Sequence, residues 1–282
     1  MAAAAVAALV LLPASAPAQV DPLTPEQVLE PVEESVEAAV PEATPDGLAP
    51  LTKSDVDAWL DGFMPYAIGN NEIVGAVVTV VKDGEILTNR GFGYADLETR
   101  TQVDPETTMF RPGSISKLFA WTAVMQLVEQ GKIDLDADIN TYLDYKIPDA
   151  FGAPITMRHV MTHTAGFEEA IKNLIIEDPE KLMSLGDYLK SSIPARIFPP
   201  GEVPAYSNYA TALAGYVVER VSGETFDDYL DAHIFAPLGM DHSTFRQPLP
   251  EQFEEFMSGG YKNVSDGEAA KYEMIPAAPA GS

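Results

Sequence analysis

The sequence predicts a mixed α+β fold: an antiparallel hairpin followed by a mostly helical stretch over about residues 101–245. Three observations carry this expectation. Ile73 to Val81 and Glu85 to Tyr94 are runs rich in β-branched and aromatic residues, joined by Lys82-Asp83-Gly84-Glu85; Asp-Gly between two such runs is a hairpin turn, not a βαβ connection. From residue 101 to 245 the chain is a succession of capped apolar segments with helical spacing. Two strands alone do not make a stable sheet, so more are required, and after residue 245 the chain offers only weak candidates.

The elements follow in order. Residues 1–18, MAAAAVAALVLLPASAPA, read as the apolar part of an export signal, with Ala16-Pro17-Ala18 as an A-x-A-like cleavage site. There is no Lys or Arg before Lys53, so the usual basic start is absent, and the run is too short to span a membrane. Residues 19–50 carry eight acids, no bases and six prolines, the composition of a disordered, solvated linker. The folded domain is expected over residues 51–282. Thr52-Lys53-Ser54-Asp55 resembles a capping box and opens an amphipathic helix through Trp59, Leu60, Phe63 and Met64. After the hairpin, an apolar helix starts near Ser114 and ends near Gly131, a C-cap glycine. Leu135 to Leu143 is a short link. Thr156 to Met161 is a short helix. Glu177-Asp178-Pro179 breaks the next helix, and Leu182 to Ser191 forms another. Helices over Tyr209 to Val221 and from Thr225 to Phe235 complete the helical stretch. Trp59 and Trp121 are expected in the core.

Composition narrows the function. The 282 residues suit one large or two modest domains, and 46% hydrophobic content suffices for a sizeable core. With 43 acids against 17 bases the net charge is −26, which argues against nucleic acid or an anionic membrane surface as a partner. There is no cysteine, hence no disulfide and no thiolate site. His159 and His163 stand four apart, but Val160 occupies the place where H-E-x-x-H needs a glutamate. No metal site is expected.

The candidate chemistry lies in Arg111-Pro112-Gly113-Ser114-Ile115-Ser116-Lys117. A Pro-Gly turn delivers Ser114 to a helix start, and on a helix Lys117, three residues on, lies on the same face. A serine hydroxyl becomes a nucleophile when a base takes its proton, and a lysine amine serves as that base when burial or a neighbouring cation favours its neutral form. The helix N-terminus favours an oxyanion beside the serine. The plainer alternative is that Ser114 is a helix cap and Lys117 a solvated side chain.

Further stretches bear on this choice. They are Arg158-His159-Val160-Met161-Thr162-His163-Thr164-Ala165-Gly166-Phe167, Pro199-Pro200-Gly201 with Tyr206-Ser207-Asn208, and Pro237-Leu238-Gly239-Met240. Together with Gly113 to Lys117 and in this order, they resemble the serine β-lactamase and penicillin-binding superfamily, in particular its class C β-lactamase-like members. The resemblance covers about residues 52–282. It implies the β-lactamase/transpeptidase-like fold, an antiparallel sheet packed with helices plus a helical subdomain, and an acyl-enzyme mechanism. Ser114 would attack a carbonyl; Lys117 and Tyr206 would handle its proton, with the division between them open. Asn208 would position Lys117 and bind the substrate amide. Tyr206 as a core residue and Asn208 as a helix N-cap remain the alternatives. His163 would hydrogen-bond the Thr-Ala-Gly turn. The superfamily's third motif, a Lys- or His-Thr/Ser-Gly strand, comes later than residue 282, so the resemblance implies that the C-terminal strands are missing.

The implied partner is a small molecule or peptide: a D-amino-acid peptide, a β-lactam or a small ester. No cofactor and no metal enter the scheme, and membrane association would come only through the missing C-terminal region. The expected location is exported, periplasmic or extracellular. The alternative function is a non-catalytic penicillin-binding or sensor-like scaffold.

Overall fold

The computed structural model describes residues 50–70, 73–170, 174–176, 179–263, 269–271 and 275–276. The chain divides into Met1–Pro50 and Leu51–Ser282. The expected signal-like segment 1–18 and the linker 19–50 lie, apart from Pro50, outside the described residues.

The second unit opens with helix α1 (Lys53–Gly69), started by a reciprocal capping box. The Asp55 N–H donates to Thr52 Oγ1 at 3.3 Å, and the Thr52 N–H donates to Asp55 Oδ2 at 3.0 Å. Two N–H groups that a helix start leaves unsatisfied are thereby paired. Leu60, Met64 and Ala67 are buried on one face, and α1 packs on strand β2. Trp59 is a correction to the expected core. It is 61% exposed beside that face and stacks on exposed Phe63, with ring centroids 4.8 Å apart.

Strands β1 (Gly75–Lys82) and β2 (Glu85–Asp96) form the expected antiparallel hairpin, paired from Gly75↔Gly93 to Lys82↔Glu85 with a register shift between Val80 and Val81. Asp83 and Gly84 sit at φ 54° and 83°. Both central residues of a type I′ turn need positive φ, and that turn's twist matches the strands. A third strand, β3 (Thr101–Gln102), pairs with β2 through Tyr94↔Gln102. It lies inside the stretch expected to be helical, which two residues of strand are too few to signal by periodicity.

The helical part begins with a single 3-10 turn over Gly113–Ser116, which leads into α2 (Lys117–Glu129). Another 3-10 turn, Ile139–Tyr142, occupies the expected link. It is followed by α3 (Met157–Met161), α4 (Leu185–Ser191) and α5 (Asn208–Ser222). Every residue of α5 from Tyr209 to Val218 is buried. A helix apolar on all sides belongs at the centre of a helical layer, and α5 packs against α2, α3 and α4.

Two expectations about these elements fail. Among the described residues between α3 and Pro179 there is no helix: Ile175–Ile176 is strand β4, paired with Ile275–Pro276, while Glu177 and Asp178 are outside the described residues. The last helix does not end at Phe235. It runs as α6 (Phe226–Leu230), widens into a π turn over Asp231–Phe235, and continues as α7 (Ala236–Leu238) through Pro237. Pro has no N–H to give an α-turn; the preceding wide turn and Pro237's place at the start of α7 remove that demand.

The later chain returns to the sheet. Met109 exchanges backbone bonds with the segment around Phe256, the Gly259 N–H donates to Ala95 O at 2.8 Å, and the Leu97 N–H donates to the Tyr261 hydroxyl at 2.8 Å. Strands β5 (Tyr261–Asn263) and β6 (Ala269–Lys271) pair with each other. Among the described residues no helix is long and apolar enough to cross a membrane.

Candidate active site

Gly113, at φ 58°, turns the chain into the 3-10 segment that carries Ser114. Residues i and i+3 eclipse one another in a 3-10 turn, which places Ser114 beneath Lys117. Lys117 Nζ donates to Ser114 Oγ at 3.0 Å. Ser114 makes no capping bond, because the residue flanking the turn is Pro112 and the one flanking α2 is Ser116, neither with a side-chain cap. Lys117 is not a solvated side chain: it is only 5% exposed. Its amine also donates to Asn208 Oδ1 at 2.8 Å.

The other half of the site comes from the start of α5, brought alongside because α2 and α5 pack together. The Tyr206 hydroxyl donates to Ser114 Oγ at 2.8 Å across 92 positions of sequence. Tyr206 is 46% exposed, so it is not a core tyrosine. Asn208 is not the cap of α5 either. Ser207 is: its Oγ accepts from the Ala210 N–H at 3.1 Å. With the cap supplied by its neighbour, the Asn208 amide turns toward Lys117. The four residues singled out in the sequence therefore converge on one point, with Ser114 exposed at its surface.

The Thr-Ala-Gly segment holds the Tyr206 strap in place. His163 sits at φ 55° just past the end of α3. Its Nδ1 accepts from the Ser207 N–H at 3.3 Å, and its carbonyl accepts from the Ala205 N–H at 2.7 Å. Its ring packs against the Tyr206 ring, 4.5 Å between centroids. Burial and then the nearby Lys117 charge push the His163 imidazole below its ordinary pKa of 6.5, with Glu169 pulling the other way. A neutral ring suits its role as acceptor. Partly buried Trp121 meets His163 edge-on and packs against the core.

Gly166 lies where the chain passes against Phe198: at φ 79°, a Cβ there would stand 2.1 Å from the Phe198 carbonyl oxygen. The glycine of the Thr-Ala-Gly motif is thus a requirement of close approach. His159 serves a local end, its Nδ1 accepting from the Thr156 N–H at 3.3 Å in the box that starts α3. Because α3 stops at Met161, His159 and His163 do not share a helix face. Among the described residues no three His, Asp or Glu side chains group as metal ligands do.

Sequence reasoning missed Glu169. Its Oε1 accepts from Asn208 Nδ2 at 2.8 Å, and its Oε2 from the Asn208 N–H at 3.0 Å. The signal available was an acid three residues past Gly166 in a motif already singled out, and a helix start attracts carboxylates. Nothing in the spacing told which helix.

A hairpin sheet joined to a helical layer, with a serine, lysine and tyrosine meeting where two helices begin, defines a protein of the β-lactamase and penicillin-binding fold. Residues 56–278 match the family described as Beta-lactamase, and the chain belongs to that family. It is 35% identical over 183 residues to PbpX of Bacillus subtilis (strain 168), a protein named for penicillin binding, with 65% of this chain and 44% of that protein covered. It is 32% identical over 217 residues to esterase EstB of Burkholderia gladioli, covering 72% of this chain and 55% of the esterase. Among solved structures, the octameric penicillin-binding protein homologue from Pyrococcus abyssi superposes with a TM-score of 0.68 at 25% identity, over 79% of this chain and 52% of that one. The chain thus spans about half the length of the proteins it matches.

Proposed function

We propose that this chain carries the nucleophile of an exported serine hydrolase that forms an acyl-enzyme with amide or ester substrates. Ser114 Oγ attacks the substrate carbonyl carbon, and its proton passes to the Lys117–Tyr206 pair. As the tetrahedral intermediate collapses, the bond to the amine or alcohol breaks. The leaving group takes a proton from the same pair, and an ester to Ser114 remains. Water, giving up a proton along the same route, then frees the acid and restores the serine. Asn208 holds the Lys117 amine on the serine and offers its amide edge to the substrate. The scheme draws on general acid–base and nucleophilic catalysis only.

The observation that carries this reading is the pair of hydrogen bonds on Ser114 Oγ, 3.0 Å from Lys117 Nζ and 2.8 Å from the Tyr206 hydroxyl. Both groups lie within the range over which a proton transfers directly. The kinship with a protein named for penicillin binding and with an esterase supports D-amino-acid peptides, β-lactams and small esters as the proposed substrate classes. The test is covalent labelling with a fluorescent penicillin and with a fluorophosphonate. Label on the wild-type protein that is absent from Ser114→Ala is the expected result. No label from either reagent, or label that survives in S114A, refutes the assignment.

A further inference from the structure

Asn208 is held between two groups of opposite hydrogen-bonding character. On one side is the Lys117 amine, which donates to the Asn208 oxygen; on the other is the Glu169 carboxylate, which only accepts. Nζ of Lys117 lies 2.8 Å from Asn208 Oδ1, and Glu169 Oε1 lies 2.8 Å from Asn208 Nδ2. An asparagine amide has an acceptor end and a donor end of nearly the same shape, and its orientation is fixed by its partners alone. Here only one orientation satisfies both neighbours. The second Glu169 oxygen takes the Asn208 backbone N–H at 3.0 Å, which anchors the carboxylate to the first residue of α5.

We propose that Glu169 is a positioning residue for the reaction at Ser114: it fixes the Asn208 amide so that the oxygen, not the NH2, faces Lys117, and thereby aims the lysine amine at Ser114 Oγ. This rests on the reading of Ser114 as nucleophile. Glu169 touches neither the serine nor the lysine; it acts through one amide. A plain structural role exists beside it, since the same carboxylate satisfies an otherwise unpaired N–H at a helix start.

Glu169→Gln separates the two roles. The introduced amide oxygen still accepts the Asn208 backbone N–H, so the helix start keeps its partner. The introduced NH2 then faces the Asn208 NH2, two donors opposed. Asn208 relieves this by flipping, which takes its oxygen away from the Lys117 N–H and puts its NH2 there instead. E169Q is therefore expected to label with a fluorophosphonate about 10-fold or more slowly than wild type, the scale of one charge-assisted hydrogen bond, at an unchanged midpoint of thermal unfolding.

Asn208→Asp alone opposes two carboxylates and is also slow. In the double variant E169Q/N208D the pattern closes again: the introduced amide donates to the introduced carboxylate, which accepts from Lys117. The double variant is expected to label faster than N208D. Rates that multiply independently in the double variant, or an E169Q rate equal to wild type, overturn the proposal. A second readout does not depend on reactivity. The Asn208 side-chain NH2 pair in the amide nuclear magnetic resonance spectrum is expected to exchange slowly with solvent in wild type and to shift in E169Q. If wild-type protein takes no label, the nucleophile reading fails, and this resonance still decides Glu169: an unshifted pair in E169Q refutes the positioning role.

Discussion

Gly166→Ala is expected to unfold this domain well below the wild-type denaturant midpoint, and the cost follows from the geometry. At φ 79° an alanine adopts a left-handed conformation, which costs about 1–2 kcal/mol. Its Cβ would stand 2.1 Å from the Phe198 carbonyl oxygen, where ordinary contact begins at 3.4 Å. The two passes of chain must therefore separate by roughly an ångström, beyond what bond-angle flexing supplies. Separation breaks the bonds that the Ile197 and Phe198 N–H groups donate to Gly166 O, at 2.8 and 3.3 Å, each worth about 1 kcal/mol. The sum is about 3–4 kcal/mol. With a urea slope of about 2–3 kcal/mol per molar, the midpoint falls by about 1 M or more. Gly131→Ala is the control. Gly131 has φ 69° and nothing within 4 Å of an added Cβ, so only the conformational part applies, about 1–2 kcal/mol. Equilibrium urea unfolding of both variants measures the difference. Equal losses in the two would show that the close pass at Phe198 contributes nothing, and the reasoning fails.

Two other outcomes are expected. Tyr206→Phe removes a half-exposed hydroxyl whose bond is to Ser114 Oγ; stability should change by no more than about 0.5 kcal/mol, while the fluorophosphonate labelling rate drops about 10²-fold. A large loss of stability, or an unchanged rate, counts against the scheme. Asp227 has a buried Oδ1 with no hydrogen-bond partner, and burial raises its carboxyl above the ordinary 3.8. The folded state therefore holds that proton more tightly than the unfolded state. Its contribution to stability is full below about pH 3.8 and is lost as pH rises through the raised folded value. Asp227→Asn does not titrate, so it should gain stability relative to wild type between pH 4 and pH 7, measured by chemical denaturation across that range. A gap between the two proteins that stays constant with pH refutes this.

Much of the fold was written in local chemistry. Asp83-Gly84 identified the hairpin because so few residue pairs accept positive φ twice. Thr52 to Asp55 marked the start of α1 because its capping groups lie within one turn. What escaped was set by partners distant in sequence. β3 and β4 are two residues each, paired through contacts that no period of two can announce. Trp59 was placed inside by its hydrophobicity alone, whereas the helix phase puts Leu60 and Met64 inward and leaves it out. The site shows the same division. Ser114 and Lys117 were visible as an i, i+3 pair. Tyr206 and Asn208 entered only through resemblance, because the packing of α2 against α5 is what brings them near. Glu169 belongs to neither neighbourhood, and its bond to Asn208 follows from the course of the loop after Gly166.

Lys117 and Asn208 stand at the starts of α2 and α5, and the buried sides of those helices carry Ala120, Ala123, Ala210, Ala212 and Ala214, all wholly enclosed. Slender side chains let neighbouring helices lie near each other, so the gap spanned by the Tyr206 phenol is governed from well beneath the surface. A methylene added where α2 meets α5 would act as a wedge, prising the phenol off the serine while Ser114, Lys117 and Tyr206 kept their identity. Under the proposed acyl-enzyme scheme, tuning by selection or by engineering has handles among residues buried beneath the site.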